Sequence, residues 1–154
     1  MVDDADADLV RGFTWHLAQS RHRGAVYARA EIMIDGKRVK ILMHRLILDL
    51  RPGEFGDHED GDGLNNQRSN LRRCTRAENM RNRRKRKTSE RSPYKGVYAY
   101  NGGKKWIALI VNPELKRQIT IGVFDDPVTA ARAYDTEAKK MFGKFSCLNF
   151  PDTP

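Results

Sequence analysis

The sequence predicts an α+β protein: an N-terminal β-hairpin and a strand–loop–strand–helix unit, then a three-stranded antiparallel sheet packed on one helix. Three observations predict it. An Asp35-Gly36 pair sits between two β-rich runs, a strong hairpin signal. From Tyr94 onward, runs of β-branched and aromatic residues are separated by turn residues and followed by a stretch with apolar residues three and four apart. At 154 residues the chain is long enough for one ordinary domain or two small ones.

The first strands are Ala25–Met33 and Lys37–Met43, and the second runs into His44-Arg45-Leu46-Ile47-Leu48, which can begin a short helix. From Arg51 to Thr75 the chain is rich in Gly, Asp and Asn and reads as loop, resolving into a short strand at Leu71-Arg72-Arg73-Cys74-Thr75. Thr75 is an N-cap with Glu78 three residues on, a capping box that opens a helix near Arg76. That helix runs into Arg81–Lys87, after which Thr88, Ser89, Ser92 and Pro93 read as a linker. The next strands are Tyr94–Tyr100, Lys105–Val111 and Gln118–Phe124, turned by Asn101-Gly102-Gly103 and by Asn112-Pro113. Asp125 or Asp126 then caps a helix with Pro127 in its first turn, and Val128, Ala131, Tyr134, Ala138 and Met141 or Phe142 form one buried stripe. The expected organisation is a first domain over 1–87, a linker over 88–93 and a second domain over 94–154.

Lys and Arg outnumber Asp and Glu by 29 to 20, a formal charge of +9 that favours an acidic partner, nucleic acid above all. The excess is uneven. Asp3, Asp4, Asp6 and Asp8 make the N-terminus acidic, as is Glu54 to Asp62, whereas Arg68 to Lys95 is dominated by Arg and Lys. Cys74 and Cys147 stand far apart, so neither a zinc knuckle nor a disulfide framework is expected. No basic-then-apolar leader and no apolar run near the ~18 residues of a membrane span is present, so an intracellular protein without a membrane partner is expected.

The stretch from Asp57 to Leu71, followed by Thr75-Arg76-Ala77-Glu78-Asn79, carries the chemistry. Hydrolysing a phosphodiester near neutral pH requires a cation on the phosphate, an activated water and a means of neutralising developing charge. Asp57 offers a hard oxygen ligand and Asn79 a carbonyl oxygen; the donors suit Mg²⁺ or Mn²⁺. Histidine's unperturbed pKa of about 6.5 suits His58 to act as a general base, and Asn70 is placed to hold its ring through the other nitrogen. A strand end, a strand start and a first helical turn converge on one metal if this unit folds as ββα. Asp60-Gly61-Asp62-Gly63 suggests a calcium loop, but Ser69 stands where the bidentate Glu belongs. His44 reads as structural or phosphate-contacting, and His16 and His22 carry no special role.

Asp57-His58, Asn70 and Asn79, with the Asn65-Asn66-Gln67-Arg68-Ser69-Asn70-Leu71 and Cys74–Asn79 runs, resemble the HNH homing endonucleases of phage introns. Met43–Leu48 matches the segment that leads into that motif. The resemblance covers roughly Trp15 to Arg83. It implies that Asp57 and Asn79 bind metal, His58 is the general base and Asn70 orients it. The third signature position is Asn79 where the eponymous pattern has His. A bacterial cytoplasm or a phage-infected cell is the implied setting.

Tyr94-Lys95-Gly96-Val97, Trp106–Ile110, Ile121–Phe124, Ala130–Asp135 and Leu148-Asn149-Phe150 resemble a second family, the Apetala/ethylene-response-factor DNA-binding domain, over Ser92 to Phe150. That family packs three antiparallel strands on a helix and lays the sheet in the major groove. Alternation assigns Trp106, Ala108 and Ile110 to the helix side and leaves Ile107, Leu109 and Val111 on the DNA side, where the family usually offers polar or basic readers. Lys95, Tyr98, Tyr100, Lys104, Lys105, Lys116 and Arg117 are candidate contacts, mostly to phosphate. Arg68, Arg72, Arg73, Arg76, Arg81, Arg83, Arg84, Lys85, Arg86 and Lys87 are expected to form a phosphate track.

The function implied by these resemblances is a metal-dependent endonuclease on double-stranded DNA. It is expected to nick, to act as a monomer and to have no small-molecule substrate. The alternative is a DNA-binding transcriptional regulator with a vestigial nuclease.

Overall fold

The computed structural model describes residues 1–19, 25–84 and 92–151. The chain divides into two units, Met1–Met80 and Arg81–Pro154. The expected linker falls largely on residues outside the described ones, as do Lys85, Arg86 and Lys87 of the expected phosphate track and His22.

The first unit opens with a helical turn and α1 (Ala7–Arg11), followed by an antiparallel sheet of β1 (His16–Gln19), β2 (Val26–Ile34) and β3 (Lys37–Leu42) in that order. Asp35 and Gly36 carry φ of 48° and 71°, the left-handed pair that lets a two-residue turn follow the twist of its strands. The sequence reading yields the β2–β3 hairpin but not β1, whose four residues are mostly exposed and carry little apolar alternation. The chain continues through α2 (Met43–Ile47) into a two-stranded sheet of β4 (Phe55–His58) and β5 (Leu71–Cys74), and then α3 (Arg76–Arg81). The capping box forms as expected: the Thr75 N–H donates to Glu78 Oε2 at 2.7 Å, and the Glu78 N–H to Thr75 Oγ1 at 3.2 Å.

The second unit holds the antiparallel sheet β6 (Val97–Tyr100), β7 (Lys105–Asn112) and β8 (Arg117–Phe124), covered on one face by α4 (Pro127–Phe142). Asp126 caps α4, its Oδ1 accepting from the N–H groups of Val128 and Thr129 at 2.9 and 2.8 Å. Val97, Ala108, Ala130 and Ala131 are completely buried, and Ile110, Tyr134 and Ala138 extend the core along the helix. Alanines at the contact let the helix lie close to the sheet, with Tyr94, Trp106, Phe124 and Phe150 closing one end. β6 begins later than expected, because Gly96 at φ 75° turns the chain immediately before it. The Asp135 carboxylate accepts from the Asn149 and Phe150 N–H groups, both at 2.8 Å, which pins the closing segment to α4.

Candidate nucleic-acid interface

In the first unit, antiparallel pairing of β4 with β5 sets Asp57 opposite Arg72 and His58 opposite Leu71. Arg72 donates from Nε and Nη2 to Asp57 Oδ2 at 3.0 and 2.7 Å and reaches Glu59 at 3.6 Å. His58 lies in an aromatic cluster: the His44 ring meets it edge-on at 4.9 Å between centroids, and the Tyr27 ring lies 6.0 Å away. Burial lowers the pKa of both imidazoles. His44 falls to about 4, its proximity to His58 and Arg45 adding to burial, while a hydrogen bond to Asn66 and the charges of Asp60, Asp57 and Asp62 oppose the drop at His58. Gly63 lets the following loop press on β2, since a Cβ there would stand 2.3 Å from the Val26 carbonyl oxygen and 2.7 Å from the Tyr27 ring.

Several expected roles are redistributed. Asn70 does not hold the imidazole; its Nδ2 donates to Asp60 Oδ1 at 3.0 Å and to the Asn65 carbonyl at 2.8 Å. The group at His58 is Asn66, almost wholly buried, whose Oδ1 lies 3.2 Å from Nε2. Burial tends to raise the Asp60 pKa, but hydrogen bonds from Asn65, the Asp62 N–H and Asn70 hold it below the ordinary value. Asn79 donates from Nδ2 to the Gly56 carbonyl at 3.0 Å. Asp57 and Asn79 do carry the oxygen chemistry that Mg²⁺ or Mn²⁺ takes, yet the Asp57 carboxylate is already neutralised by Arg72. As arranged, Asp57 Oδ2 is held by the Arg72 guanidinium and the Asn79 amide nitrogen faces the Gly56 carbonyl, so these two side chains do not fit a divalent cation. Tyr27, His44 and Asn66 escaped sequence reasoning as parts of one cluster; only the cross-strand register brings them together.

The arginines expected to track phosphate here are engaged inside the unit. Arg68 donates from Nε and Nη2 to the buried Asp6 carboxylate at 2.8 and 2.6 Å, and its N–H to Asp3 at 2.7 Å. The acidic N-terminus thus clamps the loop that carries Arg68. Arg73 bonds Glu54 and the Leu48 and Asp49 carbonyls. Arg68, Arg72 and Arg73, expected as phosphate contacts, thus each hold a partner within the unit, Arg72 nearly buried and Arg68 and Arg73 more than half exposed, while Arg76 is exposed.

In the second unit Lys95 is also reassigned: it is half-buried, burial lowers its pKa, and Nζ donates to the Arg81 carbonyl. Arg81 itself stacks over the Phe142 ring, 5.1 Å from its centroid. Arg83 is half-buried and Arg84 exposed. Lys104, Lys105, Lys116 and Arg117 are exposed, with Lys105 paired to Asp125 at 3.0 Å. The β-sheet register sets the first pair at one end of β7 and the second at the other, where Asn112 faces Arg117. Ala108 and Ile110 are buried under α4, so Ile107, Leu109 and Val111 face the opposite side. Tyr98 lies across from Ile107, and Val123 flanks it on the other strand.

No family model matches the chain. Over 72 residues it is 39% identical to dehydration-responsive element-binding protein 1E of Oryza sativa subsp. indica, covering 47% of this chain and 32% of that protein. It is 40% identical over 60 residues to ethylene-responsive transcription factor ERF010 of Arabidopsis thaliana, covering 39% of this chain and 32% of the relative. With ERF017 of the same plant the identity is 39% over 67 residues, covering 44% and 36%. The chain thus spans about a third of the length of these curated relatives.

These relatives overturn the expected HNH endonuclease, because they are named as element-binding proteins and transcription factors. The phage and bacterial setting has no support among them either. No helix among the described residues is long and apolar enough to cross a membrane. The three-stranded sheet on a helix agrees with the expected Apetala/ethylene-response-factor resemblance. Over about half its length, the chain is similar to dehydration-responsive element-binding and ethylene-responsive transcription factor proteins.

Proposed function

We propose that the chain is a DNA-binding regulator that engages double-stranded DNA through the face of β6–β7–β8 turned away from α4. The observation that carries this reading is the arrangement of that face. One side of the sheet is closed by α4, and the other is exposed and bounded at both ends of β7 by basic residues. The names of its relatives, an element-binding protein and a transcription factor, support the same reading. Major grooves admit a β-ribbon, and Lys104, Lys105, Lys116 and Arg117 are the groups we assign to phosphate, with Tyr98 and Tyr100 on the sheet beside them. Arg76 and Arg84 are secondary phosphate contacts in this reading.

The test selects duplexes from a random-sequence pool with the full chain and measures affinity by fluorescence anisotropy. Selected duplexes should bind tighter than the ~1–100 µM typical of non-specific association. Replacing Lys104, Lys105, Lys116 and Arg117 together by Gln should abolish that gain. A chain that enriches no sequence and binds no duplex overturns the reading. A reporter gene behind the selected site then measures regulation, which requires expression to change with the protein and not with the quadruple variant.

A further inference from the structure

Between Lys105 and Asn112, the outward positions of β7 carry no side chain able to hydrogen-bond a base edge. Along β7 the outer sheet face presents Ile107, Leu109 and Val111, with Tyr98 beside Ile107 and Val123 across from it. Val111 is 57% exposed, Tyr98 46% and Val123 44%, with Ile107 and Leu109 half-buried between them, so the strip is open to an occupant along its margins. Thr120, opposite Leu109, adds a methyl group, and Gln118, opposite Val111, adds an amide. Arginine, lysine and aspartate, which read guanine or cytosine through directional hydrogen bonds, are missing from the three central β7 positions.

Charge fixes what kind of surface covers this strip. β7 is eight residues long, about 25 Å at the usual rise, and its ends carry Lys104-Lys105 and, across the register, Lys116-Arg117. An apolar strip bounded by cations at both ends complements a groove with apolar groups on its floor and phosphates along both walls. In the DNA major groove, the apolar group on the floor is the thymine C5-methyl.

Building on the proposed DNA binding, we infer that Ile107, Leu109, Val111 and Val123 read the C5-methyl groups of pyrimidines in the major groove. The class of ligand is thymine-bearing duplex DNA, and 5-methylcytosine substitutes for thymine at the same contact. Recognition through these side chains is a shape-and-methyl readout, with the rim lysines and Arg117 supplying position but no sequence information.

The experiment uses the full chain and a duplex enriched from the random pool, prepared in three forms: native, with each thymine replaced by uracil, and with cytosines replaced by 5-methylcytosine. Uracil differs from thymine only by the C5-methyl. Each methyl lost from a contact should weaken binding about fourfold, and methylation of a cytosine at a contacted position should tighten it by a similar factor. Val111→Asn, at an exposed position, should lower affinity for the native duplex and reduce both methyl effects; Val123→Thr serves as a second variant if Val111→Asn unfolds. Equal affinity for thymine and uracil duplexes, with DNA binding intact, overturns methyl reading and leaves the regulator standing. Failure to bind any duplex overturns the regulator first. Conversion of a dimer to a monomer by Val111→Asn assigns the strip to a second copy of the chain and overturns methyl reading as well.

Discussion

The two units spend their charge differently. In the first, several arginines are paired with carboxylates of the same unit: Arg68 with Asp6, Arg72 with Asp57 and Glu59, Arg73 with Glu54, and Arg29 and Arg38 with Glu31. Its buried set includes Asp6, His44, Asp57, His58, Asn66 and Asn70, so a polar network does much of the holding. In the second, Val97, Ala108, Ala130 and Ala131 form an apolar core and the rim cations stay exposed, with Lys105 of the four paired to Asp125. A run of basic residues in a sequence therefore measures charge present, whereas partner binding depends on charge left after the fold has used its share.

The sharpest way to break this contrast is at Arg72. Its side chain and that of Asp57 are each only 10% exposed, so Arg72→Met leaves a nearly buried carboxylate without its cation. Losing one partner of such a pair costs about 4 kcal/mol. Urea unfolding should report that loss, and the double variant Arg72→Met/Asp57→Asn should recover most of it. A single variant within ~1 kcal/mol of the parent would show that the pair behaves as a surface bridge, whose worth rarely exceeds that.

The matching lesion in the second unit is steric. A Cβ on Gly96 would lie 2.1 Å from the Tyr134 ring and 2.9 Å from the Leu109 carbonyl oxygen, at φ 75°. Gly96→Ala should cost about 3 kcal/mol, through overpacking and a backbone that L-residues resist. Duplex binding should fall with stability, because Gly96 leads into β6. Full retention of stability would mean that Tyr134 has room to move and that the alanine-lined core is looser than its burial implies.

Acid should separate the units next. His44 is 7% exposed and its folded pKa is about 4, against 6.5 for the ordinary group. The unfolded chain thus takes up a proton on this histidine as pH falls below 6.5, while the folded chain resists until about 4. Stability from keeping the ring neutral is complete above pH 6.5, declines through the interval and levels off below about 4, a loss of at most about 3 kcal/mol. His58 shifts in the same direction and reinforces the decline. Melting followed from pH 7.5 to 4 should show the loss, and His44→Phe should reduce it to the part that His58 contributes. An unchanged slope in that variant would transfer the acid response to the carboxylates.

The contrast also explains what the sequence made legible. The Asp35-Gly36 hairpin, the Thr75–Glu78 box, the Asp126 cap and the sheet-on-helix unit all rest on local chemistry: turn dihedrals, reciprocal caps and periodicity. The sides of β7 followed from alternation alone, and Ala108 and Ile110 lie under the helix as assigned. Partner choice across sequence distance was less legible. Arg68 finds Asp6 some sixty residues away, and His58 meets Asn66 because the loop folds that residue under the ring while Asn70 turns toward Asp60. Family resemblance supplied roles for Asp57, Asn70 and Asn79, but it could not reveal that Arg72 would stand on the carboxylate. Lys95 looked like a phosphate contact because it is basic and near a strand, yet its ammonium turns in to the Arg81 carbonyl.

The smallest effect discriminates best between tied and available charge. Each phosphate contact contributes about 0.9 to the log–log dependence of affinity on salt. Lys104→Gln removes an exposed cation at the start of β7 and should lower that slope by about one contact, with stability moving less than ~0.5 kcal/mol. Arg68→Gln should do the reverse. It breaks two hydrogen bonds to Asp6, a residue only 2% exposed, and so lowers stability while the slope stays put. Paired salt titrations of the two variants test both halves at once. A slope that falls equally in each would mean Arg68 releases Asp6 to take a phosphate, making the N-terminal clamp a competitor of DNA and its acidic residues an intramolecular stand-in for the phosphate backbone.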